Sequence, residues 1–126
     1  MRVLSTILLF LLVASTSAAA ESAGYLSTTT VREFLEEHDK RRGTQRAGVD
    51  RVGVNAFVAA LSWANAYLAV VRKEPPLYCP PEKMVLEPEQ VISILRTAAK
   101  EDEAIATRPF GIGVIRSLQR TFPCPR

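Results

Sequence analysis

The sequence predicts an all-α fold: a small bundle of about four helices, stapled by one disulfide, following a cleaved export segment. Three observations carry this reading. No stretch alternates apolar and polar residues with the period of two that a half-buried strand needs, whereas several repeat apolar residues at i, i+3, i+4 and i+7. The chain has two cysteines, Cys79 and Cys124. It opens with Arg2, an apolar run at residues 7–13 and small residues ending in Ala18-Ala19-Ala20, which is the layout of a secretory signal peptide.

That segment decides the redox compartment. An exported protein meets oxidising conditions, so Cys79 and Cys124 are expected to be bonded to each other. The apolar run is too short to span a bilayer, and no second run of about 18 apolar residues is read after it. A soluble chain with no stable membrane insertion after cleavage is therefore expected. No cysteine follows the run, so a lipid-modified N-terminus has no acceptor. The expected organisation is a signal peptide at 1–20, a flexible leader of small and polar residues at 21–29, and one helical domain at 30–126. That length supports one core and not two.

The first helix starts at Thr30, where Thr30-Val31-Arg32-Glu33 fits a capping box. Val31, Phe34, Leu35 and His38 share its apolar face, and it should stop near Gly43. A longer central helix begins around Asp50, with Phe57, Ala60, Leu61, Ala64, Tyr67, Leu68 and Val71 at helical spacing. Its many alanines permit close approach of a neighbour, so it is expected to be the most buried element. Pro75-Pro76 ends it, and residues 77–86 form a proline-containing loop that carries Cys79. Glu87-Pro88-Glu89 opens a third helix, with proline in its first turn and acids at the positive end of the dipole. Val91, Ile94, Leu95 and Ala98 give that helix its face. Lys100-Glu101-Asp102-Glu103 closes it, and Arg108-Pro109 signals a fourth, with Val114, Ile115, Leu118 and Phe122 inward. Gly111 and Gly113 weaken its first turns by about 1 kcal/mol each.

Charge and residue inventory remove several function classes. The chain holds 16 Lys and Arg against 13 Asp and Glu, a net charge of +3, and the signs interleave except at Lys40-Arg41-Arg42. No basic stripe is long enough to follow a phosphate backbone, so nucleic acid is not an expected partner. Lys40-Arg41-Arg42 is read as complementing the negative end of the first helix. His38 is the sole histidine, and neither a zinc-ligand spacing nor a G-x-S-x-G elbow is present. It is read as a residue at the core edge. Glu36-Glu37 and Glu101-Asp102-Glu103 are read as solvated carboxylates, since a glycosidase pair needs a cleft to hold the two carboxyls apart. Among the aromatics, Tyr67 fits the core stripe, Tyr78 lies in a loop, and Trp63 falls beside the stripe. No enzyme activity, metal or cofactor is expected.

The C-terminal half carries a resemblance. Tyr78-Cys79-Pro80-Pro81, a helix opened at Glu87-Pro88-Glu89-Gln90-Val91, and a close on Leu118, Phe122, Pro123 and Cys124 together resemble the Tai/Rap family of type VI secretion immunity proteins. The central helix, with Gly53, Ala56, Phe57 and Ala60, is similar to the family's small-residue helix. Many members carry a second cysteine pair; here Leu35 and Gly48 stand near where those cysteines fall. The resemblance implies a small all-helical periplasmic protein, often a homodimer, that binds a toxic effector such as a peptidoglycan amidase and occludes its active site. The loop from Lys100 to Arg108 is the expected probe, with Glu101, Asp102, Glu103 and Arg108 as partner-binding residues, because it is long, charged and set between two helices. The alternative class is a periplasmic binding or acid-stress chaperone-like helical protein without a toxin partner. An exported structural domain ranks behind it.

Overall fold

The computed structural model describes Leu26 and residues 28–125. The expected signal peptide lies outside the described residues. Among those described, the chain forms α1 (Val31–Lys40), α2 (Gln45–Ala66) continued by a π-helical segment (Tyr67–Arg72), α3 (Pro88–Glu101), α4 (Glu103–Ala106) and α5 (Phe110–Thr121). The all-α class is as the sequence predicts, with α4 an additional single turn.

Local chemistry sets α1. The Thr30 side chain accepts from the Glu33 amide and the Glu33 carboxylate accepts from the Thr30 amide, so two orphan donors are satisfied. Val31, Phe34, Leu35 and His38 are all buried. The helix stops at Lys40, and the chain reverses through Gly43 at φ +78°, a left-handed conformation natural to glycine. Lys40 and Arg41 bond Glu37, and Arg42 bonds Asp39. The basic triplet thus sits at the negative end of α1, as the sequence implies.

Leu26 packs against the core, Thr29 is buried, and the Thr29 carbonyl accepts the Phe110 amide at 2.9 Å. Backbone bonding and burial thus hold Thr29 in place, and residues 21–25 and 27 of the expected leader lie outside the described residues.

The central helix departs most from expectation. It begins at Gln45, five residues before the expected start at Asp50, and it is the least buried of the long elements. Its inner edge is Asp50, Val54, Val58 and Leu61, with Asn65 next in register. Ala60, Tyr67 and Val71 of the expected stripe face solvent. The physical reason is composition: α2 is apolar on every side, so periodicity alone cannot say which side meets the bundle. The expectation that no second long apolar run follows the export segment is also overturned. Residues Gln45–Arg72 form a helix of 28 residues, long and apolar enough to cross a membrane, with 17% of its most apolar stretch buried.

α3, α4 and α5 close the core around α1. The Glu87 carboxylate and Gln90 side chain form a second capping box, with Pro88 in the first turn. Val91, Ile92, Leu95 and Ala98 are buried, while Ile94 is half-buried. Phe34 meets Phe110 with ring centroids 4.6 Å apart, and Phe57 meets Phe110 edge-on at 5.8 Å. Gly113 is where α5 crosses α1: a Cβ there would stand 2.1 Å from Val31 Cγ2. Glycine is therefore a packing requirement of this crossing, beyond its cost in helix propensity.

Asp39 bridges α1 to α3. Its carboxylate accepts from Arg96 at 2.6 and 2.7 Å and from Arg42 at 2.9 Å. The Arg96 bonds, with Arg42 behind them, hold the Asp39 carboxyl below the usual carboxylate range. A depressed folded pKa stabilises above the unfolded value, near 3.9, and that contribution disappears as pH falls through the folded value. The pair is partly exposed, so the effect is small. Asp39→Asn is expected to flatten the acid limb of a curve of thermal midpoint against pH below about pH 4, leaving the neutral region shifted uniformly.

Candidate binding surfaces

The tail of the molecule is fixed first by covalent chemistry. Cys79 and Cys124 form a disulfide with Cα atoms 4.9 Å apart, closing a sequence separation of 45. The Cys79 amide donates to the Phe122 carbonyl at 2.9 Å beside it. Asn65 of α2 then grips the same loop from the other side: its Oδ1 accepts the Leu77 amide at 2.8 Å and its Nδ2 donates to the Tyr78 carbonyl at 2.9 Å. Tyr78 is consequently buried and cannot be a loop aromatic presented to a partner. Tyr67, expected in the core, is exposed instead. Asn65 was not singled out by the sequence, and its amide in the apolar helix was the available signal.

The segment expected to be a long charged loop is an ordered corner. Asp102 interrupts the helix and its carboxylate accepts the Ala104 amide at 2.9 Å, capping α4. Ile105 and Ala106 bury beneath it. Each acid has a guanidinium: Glu103 pairs with Arg32 of α1, Glu101 with Arg120 of α5 at 3.0 Å, and Asp102 with the same Arg120 at 3.7 Å. Glu101 and Glu103 remain exposed, as does Arg108, whose backbone carbonyl accepts the Val31 amide at 2.9 Å. Glu101 and Arg120 also border a groove of about 320 Å³ with Ser93, Ile94 and Thr97. Glu101, Asp102 and Glu103 therefore form one corner tied by ion pairs to α1 and α5, with Arg108 following α4 in the chain.

His38 lies at the opposite end of α3. It is 6% exposed, stacks on Phe34 with centroids 5.8 Å apart, and places Nδ1 3.5 Å from Asp50 Oδ2 without a hydrogen bond. Arg41 approaches the other Asp50 oxygen at 3.9 Å. This is the core-edge histidine that the sequence implies. It borders a cleft of about 590 Å³ with Arg42, Arg51, Glu89 and Arg96. Arg42 and Arg96 share Asp39, and Arg51 reaches Glu89 at 3.7 Å, so the cleft wall is largely neutralised from within. Among the described residues, no group of His, Cys, Asp and Glu could hold a metal ion.

The other surface is the outer side of α2. Trp63 is 78% exposed, Val70 66%, Val71 63% and Tyr67 54%. The last three lie in the π-helical segment, a rare geometry that recurs at functional sites. No family model, no curated protein and no solved structure matches this chain. The signal for this ridge was in the sequence, since no residue between Arg51 and Arg72 is charged.

Proposed function

We propose that this chain is a periplasmic immunity-type protein that binds a toxic effector, a peptidoglycan amidase of a type VI secretion system, and occludes its active site. The observation supporting this reading is the corner at Glu101, Asp102 and Glu103, where carboxylates are pinned by Arg120 and Arg32 while two of them stay open to solvent. Side chains already ordered lose less freedom on binding, and the placement of three carboxylates against Arg32 and Arg120 sets which partner surface is complementary. The acids suit the hydrogen-bond donors and positive charge around a cysteine–histidine active site. Arg108, exposed where it follows α4 in the chain, supplies a donor of its own. Nothing in this role requires a reacting group on this chain.

The test is protection of cells that express the product of the adjacent gene, which on this proposal is the toxin. Glu101→Gln, Asp102→Asn and Glu103→Gln together remove the charge while keeping side-chain shape, and asparagine retains the cap on α4. The triple variant is expected to protect poorly and to associate with the purified toxin at least about tenfold more slowly at low salt. Unchanged protection by a variant with an unaltered circular dichroism spectrum would remove this corner as the contact.

A further inference from the structure

We propose a second binding activity, distinct from the acidic corner: the outer face of α2 docks flat on the surface of an anionic lipid bilayer. The inner edge of the helix is held to the bundle through Val54, Val58, Leu61 and Asn65. The outer face presents Val52, Trp63, Tyr67, Val70 and Val71, all exposed, with alanines between them. From Arg51 to Arg72 this side runs for roughly 30 Å without a charged residue. An exposed apolar surface of this extent marks a protein or membrane contact.

Charge selects between the occupants. Arg46 and Arg51 stand at one end of the ridge, Arg72 and Lys73 at the other. Arg51 and Arg72 are compensated by Glu89 and Glu74, whereas Arg46 and Lys73 have no carboxylate partner among the described residues. A second copy of the chain is disfavoured in either orientation. Parallel ridges set each cationic end against itself, and antiparallel ridges set Arg51 against Arg72 and Lys73. An anionic surface complements both ends at once, with cations near the surface attracted individually.

Polar groups select in the same direction. A protein interface of ordinary size carries roughly ten direct hydrogen bonds. Along this face the exposed polar groups are Asn55, Ser62 and the handles of Trp63 and Tyr67, and the Ser62 hydroxyl already donates to the Val58 carbonyl at 3.0 Å. Tryptophan and tyrosine are the residues that favour the boundary between headgroups and acyl chains. A surface that offers apolar area and few hydrogen bonds, bounded by cations, fits a lipid headgroup layer better than a protein cleft.

Trp63 is the only tryptophan in the chain, so its fluorescence reports this ridge alone. The purified chain is titrated with phosphatidylcholine vesicles, with and without phosphatidylglycerol. With phosphatidylglycerol the emission is expected to move to shorter wavelength and to be quenched by brominated lipid, and added salt should weaken both effects. Val70→Glu with Val71→Glu, exposed positions that leave the core intact, should lower partitioning at least about tenfold. Lys73→Glu should weaken it without abolishing it. Four results would overturn the proposal: no shift with either vesicle; an equal shift on uncharged vesicles; a shift that grows with protein concentration alone, which assigns the ridge to a second copy; or a shift with purified toxin but not with lipid, which assigns it to the effector.

Discussion

Reducing the Cys79–Cys124 bridge is expected to lower the thermal midpoint by roughly 15–30 °C. The bond closes a loop of 45 residues, and restricting the unfolded chain over that length contributes about 4 kcal/mol in the chain-entropy picture. A domain of this size has only about 5–15 kcal/mol in total, so the bridge is a large share. Its place in the fold reinforces this. It joins the loop after α2 to the residues after α5, and Asn65 extends the same connection back into α2 through two hydrogen bonds. Scanning calorimetry with and without reductant measures the effect, and a Cys79→Ala, Cys124→Ala variant separates it from side reactions of the reductant. Equal midpoints would show that packing and hydrogen bonds alone fix the tail.

Gly113→Ala is expected to destabilise, against the ordinary gain from replacing a helical glycine. Alanine improves helix propensity by about 1 kcal/mol. Here its Cβ would come within 2.1 Å of Val31 Cγ2, a fully buried and β-branched side chain with little rotamer freedom. Overlap of that size forces α1 and α5 apart, and overpacking of a closed core costs about 1–3 kcal/mol, so strain outweighs propensity. Gly113→Val should cost more. Denaturant melts provide the measurement, and adding Val31→Ala to Gly113→Ala should recover part of the loss through a favourable coupling between the two sites. A higher midpoint for Gly113→Ala alone would show that the helices separate freely at this crossing.

How far the sequence could be read depended on how much contrast each segment carried. α1 and α3 alternate charged and apolar residues around the helix, so their inward faces at Val31, Phe34, Leu35 and His38, and at Val91, Leu95 and Ala98, followed from spacing. The capping box at Thr30 follows from residue type at fixed offsets, whereas the one at Glu87 and Gln90 sets a carboxylate where the pattern has a hydroxyl. α2 offers no contrast: alanine, valine and aromatic residues occupy every side, and its orientation is set by partners elsewhere in the chain. Asn65 reaching Leu77 and Tyr78, and Asp50 lying beside His38, are tertiary facts that periodicity does not encode. The exchange of Tyr67 and Tyr78 between core and surface has the same origin.

The corner was legible as residues and not as structure. Glu101, Asp102, Glu103 and Arg108 were identifiable as a charged cluster between helices. That Arg32 and Arg120 would pin the acids, and that Ile105 and Ala106 would anchor α4 beneath them, depends on where α1 and α5 pass. The segment expected as a loop is instead a helical turn capped by Asp102 and tied by ion pairs to α1 and α5.

The proposed role is tested most directly by calorimetric titration of this chain into the purified product of the adjacent gene, with peptidoglycan hydrolysis by that product followed in the same samples. The account predicts a saturable, stoichiometric complex in which that activity disappears, and weaker binding by the variant carrying Glu101→Gln, Asp102→Asn and Glu103→Gln. No heat of binding and undiminished hydrolysis at a molar excess of the disulfide-bonded chain would contradict it.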